Sequence, residues 1–208
     1  MNLKLVSLFA GHLDLNGDQA NLLVAKKRLE WAGHNVELAD VPKGGSIPND
    51  ADLIFVGHGS IAAWADIESE FRKLIPHLKH AIANGVGFMA VATGHEMAIE
   101  CGLFEGKITQ IDRVSKFEIA QLDGLEVLGY LNSATTAPVI QKKGLVLGTQ
   151  LHGPVFAKNP ELVDSYLLEV AQSRNKSELG NLALNSNADL VAGIVKQVWE
   201  LERDLACE

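Results

Sequence analysis

The sequence predicts an α/β protein built on a mostly parallel sheet with helices on both faces. Three observations carry that reading. Short unbroken apolar runs, LKLVSLF (3–9), ADLIFVG (51–57) and GFMAVA (87–92), read as strands buried on both sides. Segments with apolar residues at helical spacing separate them. The order strand–helix–strand–strand–helix–strand is the alternation from which parallel sheets with right-handed crossovers are made.

Each element follows from local pattern. Strand 3–9 runs into a polar loop, GHLDLNGDQAN (11–21), after which Leu22, Ala25, Leu29 and Ala32 share one helical face and Gly33 supplies the stop. NVELAD (35–40) is a further strand, divided from 51–57 by the turn-rich PKGGSIPND. Ile67, Phe71, Leu74, Ile75, Leu78 and Ile82 recur at helical spacing as far as Asn84-Gly85. GFMAVA is expected to be a central strand with Ala92 at its carboxyl end and a helix starting near Gly94. Beyond Cys101 come RVSKFEIAQL (113–122), LEVLGYLN (125–132), APVIQ (137–141) and GLVLGTQL (144–151), broken by DG, SATT and KKG, so a hairpin or mixed-strand extension is expected. KNPELVDSYLLEVAQ (158–172) is a helix with Asn159 at the N-cap and Pro160 at its first position. Leu190, Val191, Ile194, Val195, Val198, Leu201 and Leu205 form the apolar stripe of a last helix. No repeat or linker interrupts the chain, so residues 1–208 are expected to form a single domain.

Composition narrows the function classes. The 208 residues are 47% hydrophobic, ample for a core, and 26 acidic against 18 basic side chains leave a formal charge of −8. An acidic surface repels phosphate backbones, which argues against nucleic acid and anionic membranes as partners. Cys101 and Cys207 are far apart and form no CxxC, so neither a disulfide framework nor a thiolate zinc site is supported. The opening MNLKLVSLFAGH has too short an apolar run for a signal segment, and no stretch approaches the ~20 apolar residues of a membrane span. A cytoplasmic protein is expected.

In open α/β sheets ligands sit beyond the carboxyl ends of the strands. VGHGS (56–60), VATGHE (91–96) and GTQLHGP (148–154) should converge there, each placing small residues and a histidine just past a strand. The segment FMAVATGHEMAIE (88–100) runs from strand to helix through a small-residue turn, where carbonyl-attacking enzymes carry their nucleophile. The residue at its tip is Ala92, which has no group to attack with.

GTQLHGPVFAKNP (148–160) resembles the histidine-bearing strand end of class I glutamine amidotransferases of the cobyric acid synthase type. Within that family it most resembles the small glutaminase subunits of lipid II isoglutaminyl synthases. NGDQANLLVAKKRLEWAG (16–33) is similar to the family's tyrosine-Gly-Asp-x-Gly-Asn segment and the helix after it. The order of Gly-rich loop, elbow, hairpin region and histidine agrees as well, and the likeness covers most of residues 1–170. It implies a class I glutamine amidotransferase-like fold. In that family a cysteine at the elbow, activated by the histidine, attacks the amide of glutamine. Backbone amides of the loop and elbow hold the oxyanion. By this resemblance His152 takes the base position, Ala92 stands in the cysteine's place, and Gly57 and Gly59 flank the oxyanion loop. The resemblance implies no cofactor, glutamine or a related small molecule as ligand, and a Mur ligase-type amide synthase as partner.

Departures from the family pattern fall in three loops. Ala92 replaces the nucleophile and Thr93 stands where the family has glycine. His95 and Glu96 replace an aromatic residue and a glutamine. His58 interrupts a glycine triplet, and Ser60 stands where glutamine is usual. GYLNSATT (129–136), which contains Asn132, lacks the acidic residue and histidine expected there. So broad a change implies natural loss of glutaminase chemistry in a non-hydrolysing binding or regulatory subunit. The ligand loop would be Gly57, His58, Gly59, Ser60 and Thr93, with His95, Glu96 and Asn132 lining the cleft and no metal.

Two other readings stay open on the sequence. One is an active amidotransferase, supplying ammonia to a cell-wall precursor or cobyrinate-like acid, whose cysteine has been mutated. The other is a hydrolase or metal-binding protein using His58, His95 and His152 with Glu96. Ser60 beside His58 reads as loop chemistry rather than a Ser–His pair. Cys101, about 13 Å along a continuing helix from Ala92, reads as a buried structural thiol. His12 is expected to line the cleft, His34, His77 and His80 to be solvated, and Lys142 and Lys143 to form a hairpin tip.

Overall fold

The computed structural model of the chain describes residues 1–175 and 186–206. In chain order its strands are β1 (Asn2–Leu8), β2 (Asn35–Val41), β3 (Leu53–Val56), β4 (Gly87–Val91), β5 (Gln110–Leu122), β6 (Leu125–Thr135), β7 (Ile140–Lys143), β8 (Val146–Thr149) and β9 (Leu151–His152). Its helices are α1 (Ala20–Trp31), α2 (Ile61–Ala83), α3 (Thr93–Glu100), α4 (Val155–Lys158), α5 (Pro160–Ser173) and α6 (Ser186–Ala206). Cys207 lies outside the described residues.

The main sheet has the order β2-β1-β3-β4-β8-β7. All neighbours are parallel except β7, which closes an antiparallel hairpin on β8. Alternate residues serve the two faces, as a two-residue repeat demands. Leu5, Phe55, Met89 and Leu147 pack beneath α1 and α5, while Val6, Ile54, Phe88 and Val146 pack beneath α2 and α3. The four central strands β1, β3, β4 and β8 are therefore apolar on both sides, and the expectation of a mostly parallel sheet covered by helices holds. Arg28 of α1 is buried and makes a two-pronged ion pair with Asp164 of α5, tying together the helices of the first face.

The expected extension is a second, antiparallel sheet in the order β5-β6-β9. After β8 the chain leaves the main sheet at Gln150 and joins β6 through Leu151 and His152. This change of sheet carries His152 away from the main strands and sets it opposite Tyr130 of β6.

Two expectations need correction and a third is met in position only. Asn159 stands at the N-cap of α5 with Pro160 first in the helix, as expected, but its side chain makes no capping bond there. Its amide Oδ1 instead accepts from Leu128 N–H (2.9 Å), and its Nδ2 donates to Leu128 O (2.9 Å) and Val155 O (2.7 Å). A buried amide is worth more spanning β6 and α4, where those groups would otherwise be orphaned, than capping one helix. Lys142 is not at a hairpin tip; it lies within β7 and pairs with Asp123 (2.9 Å) and Glu169 (2.6 Å), the turn being Gly144-Leu145. The stripe of α6 is divided: Val191, Val195 and Val198 are half-buried, whereas Leu190, Ile194, Leu201 and Leu205 are exposed.

Candidate functional site

The turn at the end of β4 is held in an unusual backbone state. Ala92 has φ +49° and ψ −116°, a region that costs an L-residue about 1–3 kcal/mol. Its surroundings enforce the geometry. Ala92 N–H donates to Thr149 O (2.7 Å), and its carbonyl accepts from Glu96 N–H (3.0 Å) and Gln150 Nε2 (3.1 Å). The loop after β3 presses directly on the start of α3. A Cβ on Gly94 would lie 2.6 Å from Gly57 O, and one on Gly57 would lie 2.2 Å from Leu13 O. The sharp strand–turn–helix mount is thus complete, and it carries a methyl group.

Thr93, beside Ala92, absorbs the donors that face this turn. Gly59 N–H (3.0 Å) and Trp64 Nε1–H (2.7 Å) both donate to Thr93 Oγ1. With two donors already aimed at it, the hydroxyl has two acceptors for its own proton, His58 Nδ1 at 2.9 Å and Gly59 O at 3.3 Å. His58 N–H in turn donates to Asp18 Oδ2 (3.2 Å). Both loop amides that could meet an oxyanion are therefore spent inside the protein. Burial lowers the His58 imidazole to a pKa of about 4, so it is neutral, and burial raises the Asp18 carboxyl to about 7. Asp18 Oδ1 is buried with no hydrogen-bond partner among the described residues.

The His58 ring meets His152 edge to face, with centroids 4.8 Å apart, and so stands between Thr93 and His152. His152 is buried, which lowers its pKa. Its Nε2–H donates to Asn132 O (3.2 Å), since a carbonyl can only accept, and its Nδ1 takes the Asn16 amide, Nδ2 lying 3.0 Å away. That arrangement leaves His152 without a free lone pair. A cleft of about 430 Å³ opens in front of Ala92, Thr93 and His58, lined also by Asn16, Ser60, Glu96, Gln110, Arg113, Asn132, Thr135 and Gln150 among others; His152 lies behind Asn16 and Asn132 and is not among its lining residues. Arg113 is the one permanent cation among the lining residues, and it donates to Asn132 Oδ1 (2.7 Å). Glu96 accepts from Thr135 Oγ1 (2.7 Å), and burial raises its pKa.

Gly59, Ser60, Glu96 and Asn132 meet at this cleft with Ala92, His58 and Thr93; Gly57 supports the loop from behind. His95 does not line it. The ring is fully buried on the far side of α3, against Phe104, with its nitrogens on Gln141 (2.7 Å) and Gln150 (3.2 Å). His12 is also elsewhere, paired with Asp66 at 3.0 Å. Ser60 caps α2, its Oγ accepting from Ala63 N–H (3.2 Å), and makes no pair with His58. Cys101 is half-buried rather than buried and sits against Arg72 (3.5 Å). Among the described residues, no group of three or more His, Cys, Asp or Glu side chains could hold a metal, which removes the support for a histidine metal site.

Sequence reasoning did not single out Asn16, Asp18, Arg113 or Gln150 as site residues. Asn16 and Asp18 lie in the NGDQAN segment that carried the family resemblance, a usable signal. Arg113 sits on a polar strand with nothing local to mark it.

No protein-family model matches the chain. Over 226 residues it is 24% identical to the GatD subunit of the glutamine-hydrolyzing lipid II isoglutaminyl synthase of Staphylococcus aureus (strain N315), spanning 91% of this chain and 93% of that one. The glutaminase domain of Trypanosoma brucei CTPS with bound acivicin superposes with a TM-score of 0.52 at 11% identity, over 85% of this chain and 95% of that one. PurLQS from Thermotoga maritima gives a TM-score of 0.51 at 16% identity, over 84% and 98%. The fold is class I glutamine amidotransferase-like. At identities this low the structural likeness speaks to fold, and chemistry has to be argued from the site. No helix among the described residues is long and apolar enough to cross a membrane.

Proposed function

We propose that this chain is a glutamine amidotransferase-like protein of the cobyric acid synthase type that binds glutamine or a related small molecule without hydrolysing it. It would serve in the cytoplasm, as one domain, as a binding or regulatory subunit of a Mur ligase-type amide synthase acting on a cell-wall precursor. One observation carries the reading: the strained elbow persists under alanine, while Thr93 and His58 consume the donors that glutamine hydrolysis would need. Loss of a thiol alone would leave the loop amides open. Here the substituted residues form one connected network with Trp64 and Asp18, which favours a site settled into another use over a single mutated atom.

What remains at the cleft is suited to binding. Arg113 offers a guanidinium to an anionic group, and Asn16, Gln110 and Asn132 surround it with amides. The rim is apolar: Leu15 is 50% and Ile61 92% exposed at the cleft mouth, as expected of a surface that a partner covers. The likeness to GatD, itself a subunit of a synthase, supports a synthase as the partner.

Titration calorimetry with glutamine and glutamate, run beside an ammonia-release assay, tests the proposal. The expected result is saturable binding with no ammonia above background, and at least about tenfold weaker binding in Arg113→Ala. Absence of binding to either amino acid would refute the ligand assignment. Enzyme-like ammonia release would refute the non-hydrolysing role.

A further inference from the structure

Helix α6 is anchored by one face and apolar on a second. On the docked side Ala188 is buried and Val191, Val195 and Trp199 are half-buried. Trp199 Nε1–H donates to Lys158 O (2.7 Å), Lys158 pairs with Glu202 (2.5 Å), and Arg203 pairs with Glu126 (3.2 Å). The exposed leucines therefore do not reflect an undocked helix. Leu190, Ile194, Leu201 and Leu205 are 67%, 54%, 72% and 49% exposed. At 3.6 residues per turn the four fall within about 60° of one another, about a third of a turn from the docked face. Such a stripe on a helix already held in place is an interface signature.

We propose that this stripe is a self-association surface on which a second copy of the chain lays its own α6, antiparallel. The spacing selects the partner. From Leu190 the exposed apolar positions follow at intervals of four, seven and four residues, which reads the same from either end. A two-fold axis beside Gln197 and Val198 then sets Leu190 against the second copy's Leu205, and Ile194 against its Leu201. A self-complementary patch of this kind closes on itself as a dimer, and antiparallel packing brings opposite ends of the two helix dipoles together. A foreign partner would impose no such symmetry. The area is also sufficient. A helix of 21 residues is about 31 Å long, and side chains interdigitating along that whole length remove on the order of 600 Å² of accessible surface per copy. The resulting total of roughly 1,200 Å² is at the lower edge of stable, specific interfaces. Beside Val191 an apolar recess lined by Leu23, Val24 and Trp31 of α1 continues the patch and extends that area.

Sedimentation velocity on the full chain across micromolar concentrations reads the association directly. The chain should reversibly dimerise, and Leu201→Glu should weaken the dimer by about a hundredfold or more. Leu201 faces solvent in the single copy, so circular dichroism of that variant should remain that of the folded chain. A second arm does not depend on that variant folding. In a Cys101→Ser, Cys207→Ser background, Gln197→Cys should cross-link to itself on oxidation, because it lies beside the axis. Lys196→Cys, on the opposite side of α6, should not. A chain monomeric at every concentration overturns the proposal and leaves the stripe to a different protein. A dimer that survives Leu201→Glu, or that cross-links through position 196 and not 197, overturns it equally.

Discussion

Replacing Thr93 by valine removes one oxygen and keeps the shape, so it isolates the work of the network at the elbow. Thr93 Oγ1 accepts from Gly59 N–H and from the indole N–H of the buried Trp64, and it satisfies His58 Nδ1. Thr93→Val strands two donors and leaves His58 Nδ1 only the backbone N–H of residue 93, 3.5 Å away. A buried polar group left unpaired costs about 1–3 kcal/mol, and Thr93 borders the cleft, so entering water repairs part of that loss; the net is roughly 2–4 kcal/mol. For a chain of 208 residues this lowers the unfolding midpoint by roughly 5–15 °C. Thr93→Ser keeps the oxygen and gives up one methyl group, about 1 kcal/mol or less. Thermal and urea unfolding followed by tryptophan fluorescence separates the two variants. If valine matched the wild type within about 0.5 kcal/mol, or serine were as damaging as valine, the network would not be holding the loop.

Ala92→Cys alone is expected to remain at background in glutamine hydrolysis, because His152 has no free lone pair and the loop amides stay bound to Thr93 and Asp18; substantial turnover would show that the network yields readily. Burial holds Asp18 at about 7, above its ordinary 3.8, so its ionisation penalises the folded state above neutrality and not below about pH 4. Asp18→Asn should therefore stabilise the protein at about pH 8, with the gain shrinking as pH falls; a gain independent of pH would contradict the assignment. His58 and His95 are held at about 4, below their ordinary 6.5, so the stability they contribute is complete above pH 6.5 and lost on acidification towards 4. Asp18 takes up a proton in the folded state over the same window and opposes that loss, so the acid decline should steepen in Asp18→Asn, measured as unfolding free energy against pH. Asn159→Ala orphans three buried backbone groups on β6 and α4 and should cost about 3 kcal/mol or more in urea unfolding; a loss below about 1 kcal/mol would mean water replaces the amide.

Much of the architecture is legible along the chain because burial on a face repeats with the geometry of the element. Unbroken apolar runs in β1, β3 and β4 and the helical stripes of α1 and α2 are local signals, and each needs only a few neighbouring residues to be read. The same holds for the place of Ala92, since an apolar run passing through small residues into a helix marks a strand end. Family likeness in segments 16–33 and 148–160 added the expectations that His152 takes the base position and that Ala92 stands in a cysteine's place. Pattern could not say which way a side chain turns once its element is packed. Glu96 and His95 are neighbours, but one residue along a helix is a rotation of about 100°, so Glu96 meets the cleft and His95 lies buried against Phe104. Nor could it say which part of the α6 stripe would be covered, because that depends on the distant segments α6 meets.

The chemistry of the cleft is decided at longer range still. The family resemblance gave His152 the base position, yet its protonation pattern is set by Asn16, 136 positions away, and by the carbonyl of Asn132. His58 N–H is taken by Asp18 across 40 positions, and Arg113 reaches Asn132 across 19. The sequence by itself determined the sheet, its helices and the absence of a nucleophile at the elbow, all of which depend on residue type and local periodicity. Only the tertiary structure decided that the donors around the elbow are satisfied from within, because a hydrogen bond between distant segments exists only once the topology has brought them together.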